Sequence, residues 1–403
     1  MKILYIVHEL HLSGASISFF NLVSGIKEKG NDILVVAPNY TSDATKVNYL
    51  FVSRLTNKCI PSIQIPLRWD VETEFSFFRR CGIKLKHIFL DIIDKKSSYK
   101  YQRNYSKEIL KEIISDYKPD IVHTNLGVIH VGYEICHELG IPHVWHLRDY
   151  HDLDFHWKPL PSWEVYRQQL KQSDAVVTIT DDIRKHYRLW DSPNALTIYN
   201  GCFDAGDVAL EFPKEKYFFC ASRLIETKGH NDVVKAFDIF WQKHRDYQLI
   251  LAGIGDEQYI TQLKELISCM SCCNSIKFIG HQHDIRPWMQ KARALIVASY
   301  NEGFGRMTAE AAFCGCLVIG RNTGGTKEIL EQTGGFLFDD KTAVEKMAER
   351  MTQVVNLSDT DYREMAEKAQ RVAINLYSNE AYVEQVFALY QRLLERKTKH
   401  GSF

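Results

Sequence analysis

The chain contains no apolar run of the ~18 residues that a membrane-spanning helix requires, so no transmembrane segment is expected. Its ten cysteines follow no framework spacing, which argues against a disulfide-stapled secreted domain. Cys269, Cys272 and Cys273 cluster, but no fourth ligand lies at a zinc-site spacing, and they close an amphipathic stretch before the run Ile276 to Ile279. Net charge is absent too: 50 Lys and Arg balance 50 Asp and Glu, so nothing points to a nucleic-acid partner. The start, MKILYIVHEL, reads directly as a strand with no signal peptide, and a cytoplasmic protein is expected. A dinucleotide fingerprint is also missing. The turn after the first strand, His8 to Ser16, has Gly14 alone where G-x-G-x-x-G is needed, and the second strand ends Val35-Val36-Ala37-Pro38 without an acid for a ribose hydroxyl. Both omissions argue against a nicotinamide oxidoreductase.

What is present is a repeated alternation of short apolar runs with amphipathic stretches, the pattern of βα units and parallel sheets. The runs Lys2 to Val7, Ile33 to Ala37, Ile121 to Thr124, Val144 to Leu147, Ala175 to Ile179 and Leu196 to Tyr199 are the strands expected of a first domain. Tyr217 to Ala221, Gln248 to Ala252, Ile276 to Ile279, Ala294 to Ala298 and Leu317 to Ile319 are those of a second. At 403 residues the chain exceeds one ordinary core. The break is placed near Asn200-Gly201, where CFDAGDVALEFPKEK lacks either period and carries a proline. The expected division is 1–200, 201–378, and a final helix over 379–403 marked by Tyr382, Val383, Val386, Phe387, Leu389, Tyr390 and Leu393 at helical spacing.

The most informative segment is SYNEGFGRMTAEAAFCGCLVIGRNTGGTKE, Ser299 to Glu328. It sets Glu302 on a glycine-rich loop and Glu310 two helical turns on, roughly 12 Å away along the axis. That is too far for both to flank one glycosidic bond, where paired carboxyl groups sit ~5 to 9.5 Å apart. The pair suits an extended ligand instead. Gly303, Phe304 and Gly305 bring backbone close to it, and a helix opening near Arg306 turns its unpaired N–H groups toward an anion. A sugar nucleotide fits, with sugar at Glu302, diphosphate at the helix start and ribose at Glu310. A basic pair supports the same ligand. Arg223 follows the apolar run Tyr217 to Ala221, and Lys228-Gly229 is read as opening the next helix, where a cation is unfavourable unless an anion offsets the dipole.

The Glu-x7-Glu element, the Cys314-Gly315 turn, the apolar strand and Gly324-Gly325-x-x-Glu328 together resemble the donor-site signature of retaining glycosyltransferases of family 4. Arg223-Leu224-Ile225-Glu226-Thr227-Lys228-Gly229 matches that family's Arg-Leu-x-x-x-Lys-Gly element. The resemblance implies the GT-B architecture: α/β, two Rossmann-like doubly wound parallel-sheet domains, a first acceptor-binding domain, a second donor-binding domain, and a last helix crossing back onto the first. It implies a UDP- or GDP-linked sugar as donor and transfer to a hydroxyl acceptor with retention. No metal or other cofactor is implied, Arg223, Lys228 and the helix dipole stabilising the leaving diphosphate. It also implies substrate contacts from Gly253 and Gly255 in a Gly-x-Gly turn, from His281 and Gln282 beside the nucleobase, from Gly325, and from Gly14, here preceded by Ser13 where members often have Gly-Gly. Arg306 replaces an aliphatic residue common after Gly-Phe-Gly and is expected to add a donor or phosphate contact.

In the first domain, HVWHLRDYHD closes the fourth strand. The resemblance places His146 near donor sugar and acceptor, at a carboxyl edge expected to face an interdomain cleft; Arg148 and Asp149 are taken as acceptor-side residues. Asp152-Leu153-Asp154 is read as a loop, not a metal motif. From Arg79 to Lys107, nine Lys and Arg against Asp91 and Asp94 give a net charge of +7 interleaved with apolar residues. Either an interfacial helix or a solvated amphipathic one would look like this. The expected partners are a nucleotide sugar, a glycan or lipid-linked glycan acceptor in polysaccharide or glycolipid assembly, and an anionic membrane face met through 78–107. The rival readings are a catalytically silent sugar-nucleotide sensor and a GT-B epimerase or phosphorylase.

Overall fold

Parallel strands covered by helices on both faces must be apolar at nearly every position, and the strand sequences KILYIV, DILVVAP, YFFCA and ALIV have that character. In the computed structural model, which describes residues 1–10, 14–39, 45–72 and 85–400, these segments form the centres of two sheets. The chain divides into two units, Met1–Tyr199 with the stretch from Tyr382 onward, and Asn200–Ala381.

The first unit holds β1 (Lys2–Val7), β2 (Asp32–Pro38), β3 (Ser62–Ile65), β4 (Ile121–Asn125), β5 (His143–Leu147), β6 (Ala175–Thr178) and β7 (Ala195–Thr197). They pair in parallel in the order β3-β2-β1-β4-β5-β6-β7, the doubly wound arrangement in which strand order reverses between β1 and β4. One face of the sheet packs Ile3, Tyr5 and Val7 against Phe19, Leu22 and Ile26 of the Gly14–Glu28 helix. The same core takes Tyr382, Val386, Leu389, Tyr390 and Leu393 from the C-terminal helix, Asn379–His400. Their three- and four-residue spacing puts all five on one stripe. Each fully buried side chain of this size contributes about 1.5–3 kcal/mol, so the stripe anchors the chain's end firmly in the first unit. The opposite face is covered by the Leu85–Tyr117 and Val131–Leu139 helices.

The second unit repeats the plan with β8 (Tyr217–Ala221), β9 (Gln248–Ala252), β10 (Ile276–Gly280), β11 (Ala294–Val297), β12 (Val318–Arg321) and β13 (Phe336–Phe338), all parallel, in the order β10-β9-β8-β11-β12-β13. Its reversal point lies between β8 and β11. The carboxyl ends there run into Arg223 and Glu302.

The structure differs from expectation at three points. Lys228 does not open a helix: Glu226–Lys228 is a single 3-10 turn, and Gly229, at φ 71°, starts the helix His230–Trp241. Asp152–Phe155 is a one-turn helix, with the Asp152 carboxylate on His186 Nε2 at 2.7 Å and the Asp154 carboxylate accepting Tyr150 N–H at 3.1 Å. The strands β3 and β13 were not expected, nor was the antiparallel ribbon of Val71–Glu72 with Lys158–Pro159. Residues 79–84 of the basic stretch lie outside the described residues; of its nine cations, Arg103 pairs with Asp70 and Glu134, and Lys107 with Glu138.

Candidate active site

At the carboxyl ends of β8 and β11, Lys228 Nζ lies 2.5 Å from Glu302 Oε1, both side chains about one-fifth exposed (19% and 20%). This joins the two motifs, 74 residues apart in sequence, at one place. The loop carrying Glu302 is held by its own glycine-rich partner. Gly325 N–H donates to the Glu302 carbonyl at 2.8 Å, and a Cβ on Gly325 would stand 2.0 Å from the Phe304 carbonyl oxygen, so only glycine fits. Gly305 adopts φ +81° and begins the helix Arg306–Phe313, which has no side-chain cap. Its positive dipole end faces outward at Gly305, the arrangement that favours an anion.

Glu310, on that helix, is buried to 3% exposure, and burial raises its carboxyl pKa while the Arg306 guanidinium opposes the rise. Arg306 Nε sits 2.5 Å from Glu310 Oε1, four residues on. Arg306, expected to add a donor or phosphate contact, is held by Glu310 and by the Cys202 carbonyl at 3.4 Å, because a buried carboxylate one turn away attracts the cation more strongly than water does. Arg223 is exposed, and its guanidinium has no hydrogen-bond partner among the described residues. Arg321, at the end of β12, had attracted no notice in the sequence; its guanidinium is buried and occupied by Asp232, Asp340 and the Ala298 carbonyl. Of the cations at these strand ends, Arg223 and Lys228 are thus the ones that reach solvent.

Gly253 and Gly255 follow β9, where Gly255 bridges Leu224 and the Ile254 carbonyl accepts Leu224 N–H at 3.0 Å, so this turn lies beside Arg223. His281 is exposed after β10, and Gln282 Nε2 donates to the Ile279 carbonyl at 2.7 Å. The side chain of Gln282 is thus committed to its own loop, which leaves backbone groups to meet a base.

In the first unit, the polar residues at the end of β5 are enclosed. His146, Arg148 and Asp149 are all buried, to 0%, 6% and 9% exposure. Arg148 donates to Asn125 Oδ1 at 2.6 Å and to the Tyr382 hydroxyl at 2.7 Å, and Asp149 Oδ1 accepts His151 N–H at 3.0 Å. Burial pushes the Asp149 carboxyl up to about 6. Polar groups so enclosed need internal partners, and they find them on β4, the next loop and the C-terminal helix. His123, Asn125, Tyr382 and Tyr390 around His146 were missed in the sequence, since each looked like an ordinary strand or helix residue. Gly14 begins the first helix and would meet nothing within 4 Å if it carried a Cβ.

Two family models match the chain: "Glycosyltransferase Family 4" over residues 12–202 and "Glycosyl transferases group 1" over residues 207–372. The chain belongs to the family 4, group 1 glycosyltransferases. This glycosyltransferase is 23% identical to an uncharacterized glycosyltransferase of Haemophilus influenzae over 53% of its own length and 60% of the relative's. It is 25% identical to a poly(glycerol-phosphate) alpha-glucosyltransferase of Bacillus subtilis over 57% of its length and 34% of that protein's. The chain thus spans a third to three-fifths of the length of these curated relatives. Among solved structures, Anabaena Alr3699/HepE in complex with UDP superposes with a TM-score of 0.76 at 19% identity, covering 97% of this glycosyltransferase and 100% of that chain. The fold is GT-B.

Proposed function

We propose that this glycosyltransferase moves a sugar from a UDP- or GDP-linked donor to a hydroxyl of a glycan or lipid-linked glycan, with retention and without a metal. The observation that carries the reading is the Lys228–Glu302 pair, fixed through Gly325 beside an uncapped helix start. Glu302 presents a carboxylate to sugar hydroxyls. Lys228, Arg223 and the amides at Arg306 offset the charge that develops on the leaving diphosphate, so the electrostatic work of a cation is done by the protein. Glu310, held in place by Arg306, accepts hydrogen bonds from ribose hydroxyls. The complexes of Alr3699/HepE with UDP and with UDP-glucose support a uridine nucleotide as the first donor to try. The acceptor role falls to residues 1–200 and the donor role to 201–378, and assembly of surface polysaccharide or glycolipid is the setting we infer. A sensor that binds donor and turns nothing over is the rival.

Calorimetry with UDP and GDP, combined with turnover of a nucleotide-sugar panel, tests this. The nucleotide keeps ribose and lacks the sugar. Binding should weaken in Glu310→Gln and stay near wild type in Glu302→Gln, whereas Glu302→Gln should lower kcat strongly. The reverse pattern would show that the donor lies the other way round, and tight binding with no turnover of any donor would favour the sensor.

A further inference from the structure

A second group of cations lies in the second unit, apart from Arg223 and Lys228. Lys214, Arg293 and Arg363 line a cavity of about 250 Å³ together with Phe212, Asp359 and Tyr362. Its place follows from the sheet. Arg293 immediately precedes β11, and the Tyr362 hydroxyl donates to the Arg293 carbonyl at 2.9 Å and accepts the Leu317 N–H at 3.4 Å, just ahead of β12. The cavity therefore sits at the amino edge of the sheet, whereas the Glu302 loop follows its carboxyl edge. β11, of four residues at ~3.3 Å each, separates the two by on the order of 13 Å.

The charges on this wall are unbalanced. Arg293 is only 9% exposed, and no carboxylate among the described residues pairs with it. Its Nε and Nη2 donate to the Val354 carbonyl at 3.2 and 2.7 Å, and Nη2 also to the Leu357 carbonyl at 3.1 Å, which leaves Nη1 for a ligand. Lys214 Nζ gives one hydrogen to the Gln290 carbonyl at 2.5 Å. Arg363 is exposed and has no ion pair among the described residues, and Asp359, the acid on the cavity wall, pairs with none of the three cations. What lies against them is aromatic. Arg363 and Lys214 stand 4.4 and 4.9 Å from the centre of the Phe212 ring, and Arg293 and Lys214 stand 4.5 and 5.9 Å from that of Tyr362. A ring face attracts a cation but brings no negative charge, so a buried guanidinium held only by rings and carbonyls still lacks its counter-ion. Burial, with the Arg293 charge adding to it, also lowers the Lys214 pKa below the ordinary lysine value.

We propose that this cavity binds a phosphate group, held by Arg293 Nη1, the Arg363 guanidinium and Lys214. Three cations against one acid leave two positive charges over, which a phosphate of about −1.5 to −2 at pH 7 balances and a single carboxylate does not. Guanidinium groups match phosphate oxygens in geometry as well, and the Phe212 and Tyr362 rings keep their planes in place. The site is independent of the donor motifs and does not rest on the transferase reading.

Calorimetric titration of inorganic phosphate into the full chain, in chloride buffer, tests this. Saturable binding should persist in Lys228→Ala, which disables the proposed donor site. Adding Arg363→Gln or Lys214→Gln to that variant should weaken it at least tenfold, the loss expected for one charge-assisted hydrogen bond, with circular dichroism unchanged. Acetate should bind far more weakly than phosphate. Glycerol 3-phosphate in a parallel titration separates two sources of the group: tighter binding than inorganic phosphate assigns a small phosphorylated metabolite, and equal or weaker binding assigns free phosphate. No saturable binding in Lys228→Ala, indifference to Arg363→Gln and Lys214→Gln, or equal affinity for acetate overturns the site. None of these results touches the transferase reading, which is judged by nucleotide binding and turnover.

Discussion

The contact between the two glycine-bearing loops of the second unit gives the sharpest test of how the proposed donor site is held. In Gly325→Ala the new Cβ would stand 2.0 Å from the Phe304 carbonyl oxygen and 2.3 Å from its carbon. Comfortable contact between such atoms begins near ~3.5 Å, so the backbones must part by more than ~1 Å. Neither neighbour is a flexible side-chain tip that could give way. The movement is transmitted to Glu302, two residues before Phe304, because Gly325 N–H is bonded to the Glu302 carbonyl. Displacing a positioned group by ~1 Å costs on the order of 100-fold in rate, or about 2.7 kcal/mol at about 1.4 kcal/mol per tenfold. The same overpacking should lower stability by about 1–3 kcal/mol, so Tm is measured alongside. Gly206→Ala is the control, since a Cβ there meets nothing within 4 Å. The expected outcome, read by release of nucleoside diphosphate from the active donor, is a ~100-fold fall in kcat/KM for Gly325→Ala and no change for Gly206→Ala. A folded Gly325→Ala enzyme with wild-type turnover would show that Glu302 is not positioned through this contact, and the proposed sugar-binding role would lose its geometric basis.

Three further outcomes are expected. Lys228→Ala should cut kcat/KM by orders of magnitude while the fold persists, and activity should survive a chelator; loss of activity in EDTA with rescue by a divalent ion would refute the metal-free reading. Burial lets Asp149 keep its proton to about pH 6 in the folded state against 3.8 for an ordinary aspartate, so its contribution of about 3 kcal/mol is fully present below pH 3.8 and is lost as pH rises through 6. Asp149→Asn does not titrate, so the Tm of wild type minus that of Asp149→Asn should fall by several degrees between pH 5 and pH 8, and a pH-independent difference would sink the assignment. Binding to anionic vesicles at low salt, absent for neutral ones, is expected if the basic stretch meets a membrane, each cation adding ~1 kcal/mol; exposed Tyr101 and Tyr105 lie on its described part, and failure to cosediment rules it out.

The elements that could be read from sequence are those whose residues are constrained on two sides. A central parallel strand such as Tyr217–Ala221 is buried on both faces, so every position is apolar and the run announces itself. Edge strands escape this. In Ser62–Ile65 only Ile65 is fully buried, and Ile63 is 40% exposed, so pairing to β2 rather than side-chain character makes it a strand. The 3-10 turn at Glu226–Lys228 was hidden for a related reason: Gly229 could begin a helix or follow one residue into it, and only its left-handed backbone decides.

The site divides along the same line. Glu302, Gly325 and Lys228 stand at fixed spacing within short motifs, so they could be picked out as candidates, though the meeting of Lys228 with Glu302 at 2.5 Å could not. The pairing of Arg306 with Glu310 was not legible, because a conspicuous cation after Gly-Phe-Gly has two anions to choose from, a ligand's and that of Glu310, and spacing alone favours neither. Burial breaks the tie: Glu310 at 3% exposure cannot be left without a counter-charge, so the nearer anion holds the guanidinium. Around His146 no local signal existed at all. His123, Arg148, Tyr382 and Tyr390 come from two strand ends and the last helix, up to 267 residues apart, and each becomes a polar partner only because the sheet order sets β4 beside β5 and the apolar stripe of the C-terminal helix lands on the same face. A hydrogen-bonded chain of that kind is specified by the packing of apolar residues far apart in the sequence, which is why it is legible only once the fold is known.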